Sequence, residues 1–128
     1  GDVINLNFVP YGFAEMSIEE HTLVCDHGEV ECKTNSYEQC AIHSYAAEPK
    51  AYMPFITCLA MLPEPILGMD ESYHQCATLA SLDWSLISRC ANDAEMSWKL
   101  QRLAAKMTPR YADFLPWVEV NGELVNVP

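Results

Sequence analysis

Cys25-Asp26-His27-Gly28-Glu29-Val30-Glu31-Cys32-Lys33-Thr34-Asn35-Ser36-Tyr37-Glu38-Gln39-Cys40 holds three of the chain's six cysteines within sixteen residues. With His43 close behind, Cys25, His27, Cys32 and Cys40 supply the ligand types of a tetrahedral zinc site. Their spacings, with six and seven residues between successive cysteines, do not match the two-to-four-residue knuckles of common zinc sites, so no metal is expected. Cys58, Cys76 and Cys90 follow downstream, and an even number of cysteines in a short acidic chain predicts three structural disulfides and an oxidising compartment. Six cysteines allow fifteen connectivities, which leaves the pairing open. Gly28 is expected to take a backbone conformation closed to residues with side chains. A catalytic His27 beside a reactive Cys25 is one reading of the turn. The plainer reading has His27 and Glu31 organising a loop bounded by a disulfide.

The same stretch resembles the signature of the gamma-interferon-inducible lysosomal thiol reductase family: Cys-Gln-His-Gly, two variable residues, Glu-Cys, two variable, Asn, four variable, Cys. Cys25, His27, Gly28, Glu31, Cys32, Asn35 and Cys40 fall in register, and Asp26 stands where the signature has Gln. The resemblance continues through Val9-Pro10-Tyr11-Gly12 and Pro116-Trp117-Val118-Glu119-Val120-Asn121-Gly122, so it covers essentially the whole chain. It implies a thioredoxin-related fold with a Cys-X-X-Cys pair opening a helix ahead of the strand that here begins at Val3. This chain begins after that point, and no two of its cysteines stand in the Cys-X-X-Cys relation. Thiol reduction needs an attacking thiolate and a nearby resolving thiol, so no catalytic residue is assigned.

The missing front end also bears on the fold. In the arrangement that the family implies, the absent strand is central and pairs with Val3–Val9. Buried backbone groups left unpaired would each lose about 1–3 kcal/mol. The expectation is therefore a mainly α, disulfide-stapled fold derived from thioredoxin but departing from it, with a small C-terminal hairpin, assembled as a homodimer. The alternative is an incomplete or strand-exchanged thioredoxin-like α/β domain.

At 128 residues the chain is read as one domain, 1–128. A formal net charge of −11 argues against nucleic acid, whose phosphates are bound by clustered Lys and Arg, and against an anionic membrane surface. The longest apolar run, Ala51 to Leu62, is broken by Pro54 and falls short of the roughly 20 residues of a membrane span. No Asn-X-Ser/Thr sequon occurs, and no Gly-rich phosphate loop, serine nucleophile elbow or His-Glu-X-X-His motif is present. His21, His43 and His74 are scattered, and no cofactor is expected.

Val3–Val9 alternates as a strand, and a second short strand is expected before Cys25. Asn35 or Ser36 would cap a helix from about Tyr37 to Ala47, with Pro49 as its stop. Further helices are expected over Ala51–Met61, from Asp70 or Ser72 through Cys76, and from Ser81 or Asp83 through Cys90. Asn92 would cap Asp93–Met107, whose Met96, Leu100, Leu103 and Met107 form an apolar stripe. Trp117–Val127 reads as a hairpin about Asn121-Gly122. Pro116 resembles the cis proline that faces the thiols of thioredoxin-like enzymes.

Five of the seven basic residues, Arg89, Lys99, Arg102, Lys106 and Arg110, fall in one span of this acidic chain. They are either a solvated helix face or a positive patch for an acidic partner or a second subunit. The leading expectation is a secreted, catalytically inactive family member that binds a protein on a cell or pathogen surface, similar to insect and particularly mosquito salivary relatives without Cys-X-X-Cys. The alternative is the C-terminal part of a lysosomal reductase that reduces protein disulfides at acid pH. A third option is a redox sensor that uses an exposed signature disulfide.

Overall fold

A computed structural model describes residues 6–109 and 115–125. Among these residues lie five helices and two small antiparallel hairpins: β1 (Glu15–Ser17), β2 (Thr22–Val24), α1 (Glu29–Ser44), α2 (Pro49–Ala60), α3 (Asp70–Leu79), α4 (Trp84–Ala91), α5 (Ala94–Met107), β3 (Glu119–Val120) and β4 (Glu123–Leu124). The mainly helical, disulfide-stapled expectation holds at that level.

α1 is the hub. It packs against α2, α4 and α5, while α3 lies on α2 and α4. Its middle, from Asn35 to Ala41, is buried at every position, so no amphipathic stripe marks it. The core joins Tyr37, Cys40 and Ala41 of α1 to Tyr52, Phe55, Ile56 and Leu59 of α2, Tyr73, Cys76 and Ala77 of α3, Ile87 of α4 and Leu100 of α5. Aromatic rings thread it. Tyr73 stacks on Tyr37 at 4.2 Å, Tyr37 on Trp84 at 5.7 Å, and Trp84 on His74 at 4.8 Å, tying α3, α1 and α4 together with near-parallel rings.

All six cysteines pair. Cys40–Cys90 joins α1 to α4, Cys58–Cys76 joins α2 to α3, and Cys25–Cys32 closes the turn ahead of α1 onto its first turn. Two bridges cross between helices and one is local.

Several sequence expectations are corrected. α1 begins at Glu29, eight residues before the Tyr37 expected, so Asn35 and Ser36 are buried mid-helix residues and not caps. The capping-box spacing of Ser36 and Gln39 misled because the helix starts at the Gly28 turn. There Glu29 and Glu31 sit in the first turn, where acids favour a helix N-terminus. Pro49 does not merely stop a helix; it is the first residue of α2, a position where its missing N–H is not needed. Asp93, not Asn92, caps α5: its Oδ1 accepts from the amides of Glu95 at 3.0 Å and Met96 at 3.1 Å. Asn92 instead closes α4, donating from Nδ2 to the Ser88 carbonyl at 2.8 Å.

The strand expected over Val3–Val9 is not seen in its described part. Residues 6–9 carry no strand, and Phe8 packs against the helical core instead. Residues 3–5 lie outside the described residues. The C-terminal hairpin forms where expected, with Asn121 at φ 52° and Gly122 at φ 83°. Both lie in the left-handed region that a two-residue hairpin turn requires. Its outer part, 126–127, lies outside the described residues. The Leu115–Pro116 peptide is cis.

Candidate functional site

The signature turn is built on Gly28, which stands at φ 94°, ψ −167° as the residue before α1. Any side chain is strained in that region. Gly28 N–H donates to the Cys25 carbonyl at 3.0 Å, and the Cys32 amide donates to the Gly28 carbonyl at 3.3 Å, so the turn and the first helical bond are continuous. Glu31 reaches back over this turn. Its Oε1 accepts from the His27 amide at 3.1 Å, and its Oε2 pairs with His27 Nδ1 at 3.1 Å. The hydrogen bond to Glu31 raises the His27 pKa above its ordinary value, with the charges of Glu31 and Asp26 adding to it. His27 is well exposed. It and Glu31 therefore shape the turn that the Cys25–Cys32 bridge closes.

Asn35 works one turn further in. Its Nδ2 donates to the Tyr11 carbonyl at 3.4 Å, and Gln39 Nε2 donates to the Pro10 carbonyl at 2.7 Å, so the Pro10-Tyr11 turn is held against α1. Gln39 Nε2 also donates to Gln101 Oε1 at 3.0 Å, and Ser36 Oγ meets Ser97 Oγ at 2.7 Å. This polar seam joins α1 to α5. Lys33 caps the 63–68 connection from the side, donating to the Gly68 carbonyl at 2.7 Å and pairing with Asp70 at 2.9 Å. That contact with Asp70 raises the lysine's pKa.

Two features had no visible signal in the sequence. The first is Glu38, which is only 8 % exposed. Burial pushes its pKa up to about 8, so the carboxyl is neutral at acid pH. The second is a groove of about 560 Å³ bordered by Cys32, Ser36, Ser97, Trp98, His21 and Asn92. His21 meets Trp98 edge-on at 4.4 Å across it. Its walls come from β2, α1 and the α4–α5 junction, segments far apart in sequence.

The basic residues separate. Lys99, Arg102 and Lys106 recur at spacings of three and four along α5, all exposed, with exposed Leu103 and Met107 beside them on the helix. None of the three has an ion-pair partner among the described residues. Arg89 is on α4 and donates from Nε to its own helix at the Ser85 carbonyl, 3.3 Å away. Arg110 lies outside the described residues. All the zinc-competent thiols, Cys25, Cys32 and Cys40, are consumed in disulfides, and His43 is exposed near the far end of α1.

These features define a small helical domain whose signature turn is welded by a local disulfide onto a helix stapled to its neighbours. Residues 1–80 match the sequence model of the family described as gamma interferon inducible lysosomal thiol reductase (GILT). The chain belongs to that family. It is similar to the gamma-interferon-inducible lysosomal thiol reductase of Carassius auratus, at 30% identity over 95% of this chain and 48% of that protein. It is also similar to a gamma-interferon-responsive lysosomal thiol protein of Arabidopsis thaliana, at 29% identity over 94% of this chain and 48% of that protein. The mouse (Mus musculus) thiol reductase is 26% identical over 99% of this chain and 51% of its own length. The chain thus spans about half the length of the curated relatives it matches. No helix among the described residues is long and apolar enough to cross a membrane.

Proposed function

We propose that this chain is a secreted GILT-family protein that acts by binding, with its disulfides as scaffold and the exposed face of α5 as the contact for an acidic protein partner. The observation that carries this reading is the α5 face itself. Lys99, Arg102 and Lys106 stand together without ion-pair partners among the described residues, in a molecule with a net charge of −11. Leu103 at 45 % and Met107 at 56 % exposure add the apolar centre that a protein contact needs and that a merely solvated face lacks. Six paired cysteines support an oxidising environment, which secreted and lysosomal compartments both offer.

Binding of the labelled chain to poly-glutamate, and to intact cells before and after protease treatment of their surface, tests this reading. Wild-type binding should fall with added salt and with protease treatment. The variant carrying Lys99→Glu, Arg102→Glu and Lys106→Glu should lose about tenfold or more in affinity, as expected when charged contacts are reversed. Equal binding by the two proteins would exclude α5 as the contact.

A second reading is favoured by the relatives' names. Proteins called thiol reductases match nearly all of this chain while extending to about twice its length. In that reading these residues are the scaffold of a reductase acting on protein disulfides at acid pH, and insulin reduction at about pH 5 by the chain as it stands should be absent.

A further inference from the structure

The groove between α1, β2 and the α4–α5 junction is bordered by buried donors that have nothing to donate to. Tyr37 borders it and is only 2 % exposed. Its phenol oxygen accepts from Asn92 Nδ2 at 3.5 Å, but its own hydrogen meets no acceptor among the described residues. Burial raises the phenol's pKa, so that hydrogen stays in place. Ser36, also buried, and Ser97 share one hydrogen bond across the seam of α1 and α5, with 2.7 Å between their oxygens. Whichever of the two accepts keeps a hydrogen that no described residue receives. Asn92 supplies the opposite polarity. Its Nδ2 is committed to the Ser88 carbonyl at 2.8 Å, which leaves Oδ1 open among the described residues. Buried polar groups are nearly always paired, so orphan donors in the wall of a cleft mark a place that a further molecule completes.

Charge and shape narrow that molecule. No Asp or Glu borders the groove in a chain that carries 18 of them, and Lys33, which does, is paired with Asp70 at 2.9 Å. An ion would therefore meet no unpaired permanent charge, and an anion would also work against the net charge of −11. A purely apolar ligand would leave the Tyr37 and serine hydroxyls sealed away unpaired. What fits is neutral and both gives and takes hydrogen bonds at several points. Trp98 and His21, with ring centroids 4.4 Å apart, add an aromatic wall, and aromatic faces attract C–H edges. Hydroxyls around a ring that also carries a C–H face are the chemistry of a sugar. The volume of about 560 Å³ falls within the ~300–1,000 Å³ of small-ligand clefts. We propose that this groove binds a neutral hexose ring: Tyr37 and the Ser36–Ser97 pair donate to its hydroxyls, Asn92 Oδ1 accepts from one, and Trp98 packs on its C–H face. This site goes beyond the α5 reading and does not depend on it, because Lys99, Arg102 and Lys106 are not among the residues that border the groove.

The ¹⁵N-labelled chain is titrated with D-glucose, D-mannose, D-galactose and N-acetyl-D-glucosamine, with their methyl glycosides, and with the ring anions glucuronate and galacturonate. The Trp98 indole signal is identified by its loss in Trp98→Phe. At least one neutral sugar should give saturable shifts at Trp98, Asn92 and Ser97 with a Kd of about 1 mM, and the uronates should bind about tenfold more weakly or worse. Tyr37→Phe keeps the stacked ring and removes an O–H that no described residue receives, so its melting temperature should stay near wild type while sugar affinity falls about tenfold. Ser97→Ala should weaken binding in the same direction and serves as the second variant. Equal binding of sugar and methyl glycoside assigns the end of a glycan chain as the source, and loss with the glycoside assigns a free sugar; either supports the ligand class. No saturable shift with any neutral sugar would overturn the proposal, as would affinity unchanged in both variants. Uronates binding as tightly as the neutral sugars would overturn the ligand class.

Discussion

The two ends of α1 carry the same sequence signature and do opposite work. At its start, Gly28, Glu31, His27 and the Cys25–Cys32 bridge make an exposed turn whose contacts all fall within seven residues. Eight residues on, Cys40 is fully buried and bridged across fifty positions to Cys90, beside a carboxyl, Glu38, that has been taken out of water. A motif that reads as one unit is thus a local clasp at one end and a long-range staple at the other. The difference teaches that cysteine density alone does not say what a bridge stabilises; the length of chain it closes and the surface it displaces decide that.

The sharpest way to break this comparison is to remove each bridge in turn. Replacing Cys40 and Cys90 by Ala opens a loop of 50 positions, for which loop-closure entropy gives ~4 kcal/mol. The melting temperature should drop by about 15 °C. Replacing Cys25 and Cys32 by Ser opens a loop of only 7 and should remove ~2 kcal/mol. Equal losses in thermal melts would mean that the turn is as much a part of the folding unit as the core.

The buried carboxyl provides the next largest effect. Glu38 has its folded pKa raised from 4.5 to about 8 by burial. The unfolded chain releases this proton at lower pH than the folded one, so the associated stability is complete below about pH 4.5 and is lost as pH rises through about 8. Chemical denaturation at pH 5 and pH 8 should differ by ~3 kcal/mol, given about 1.4 kcal/mol per pKa unit and some relaxation of the site. Glu38→Gln should flatten that dependence, with its gain confined to the higher pH. An unchanged pH profile in the variant would place the titration elsewhere.

At the exposed end the expected effects are smaller. Gly28→Ala meets no atom within 4 Å, so its effect is backbone strain alone, ~2 kcal/mol for a left-handed position that only glycine favours. A melt within error of wild type would show that the turn relaxes. Smallest is His27→Ala. The His27–Glu31 contact raises the histidine's pKa, so its contribution is present below about pH 6.5 and fades as pH rises through the raised value. With the histidine this exposed, the melting temperature should move by no more than about 2 °C and only at acid pH.

Much of this architecture was legible because it is local. An even set of six cysteines predicted three bridges; Asn121-Gly122 marked the final turn, Asp83 was one of two caps named for α4, and Pro and Gly marked the 63–68 connection. The signature residues placed the chain in its family, whereas the apolar stripe read along α5 holds only for Met96 and Leu100, because Leu103 and Met107 lie exposed. What depended on distant partners was not legible. Fifteen pairings were open until the packing of α1 on α4 and of α2 on α3 chose among them. The start of α1 was misplaced because its middle is polar in sequence yet buried on every side, with the amide nitrogens of Asn35, Gln39 and Gln101 donating to groups from other segments. Glu38 carried no signal in the sequence, and only the helices closing over it made it a buried, neutral acid. Caps, turns and spacings are decided by a few neighbouring residues, so sequence alone determines them. Burial and disulfide partnership depend on which surfaces meet, and that was decided only when the tertiary structure brought those surfaces together.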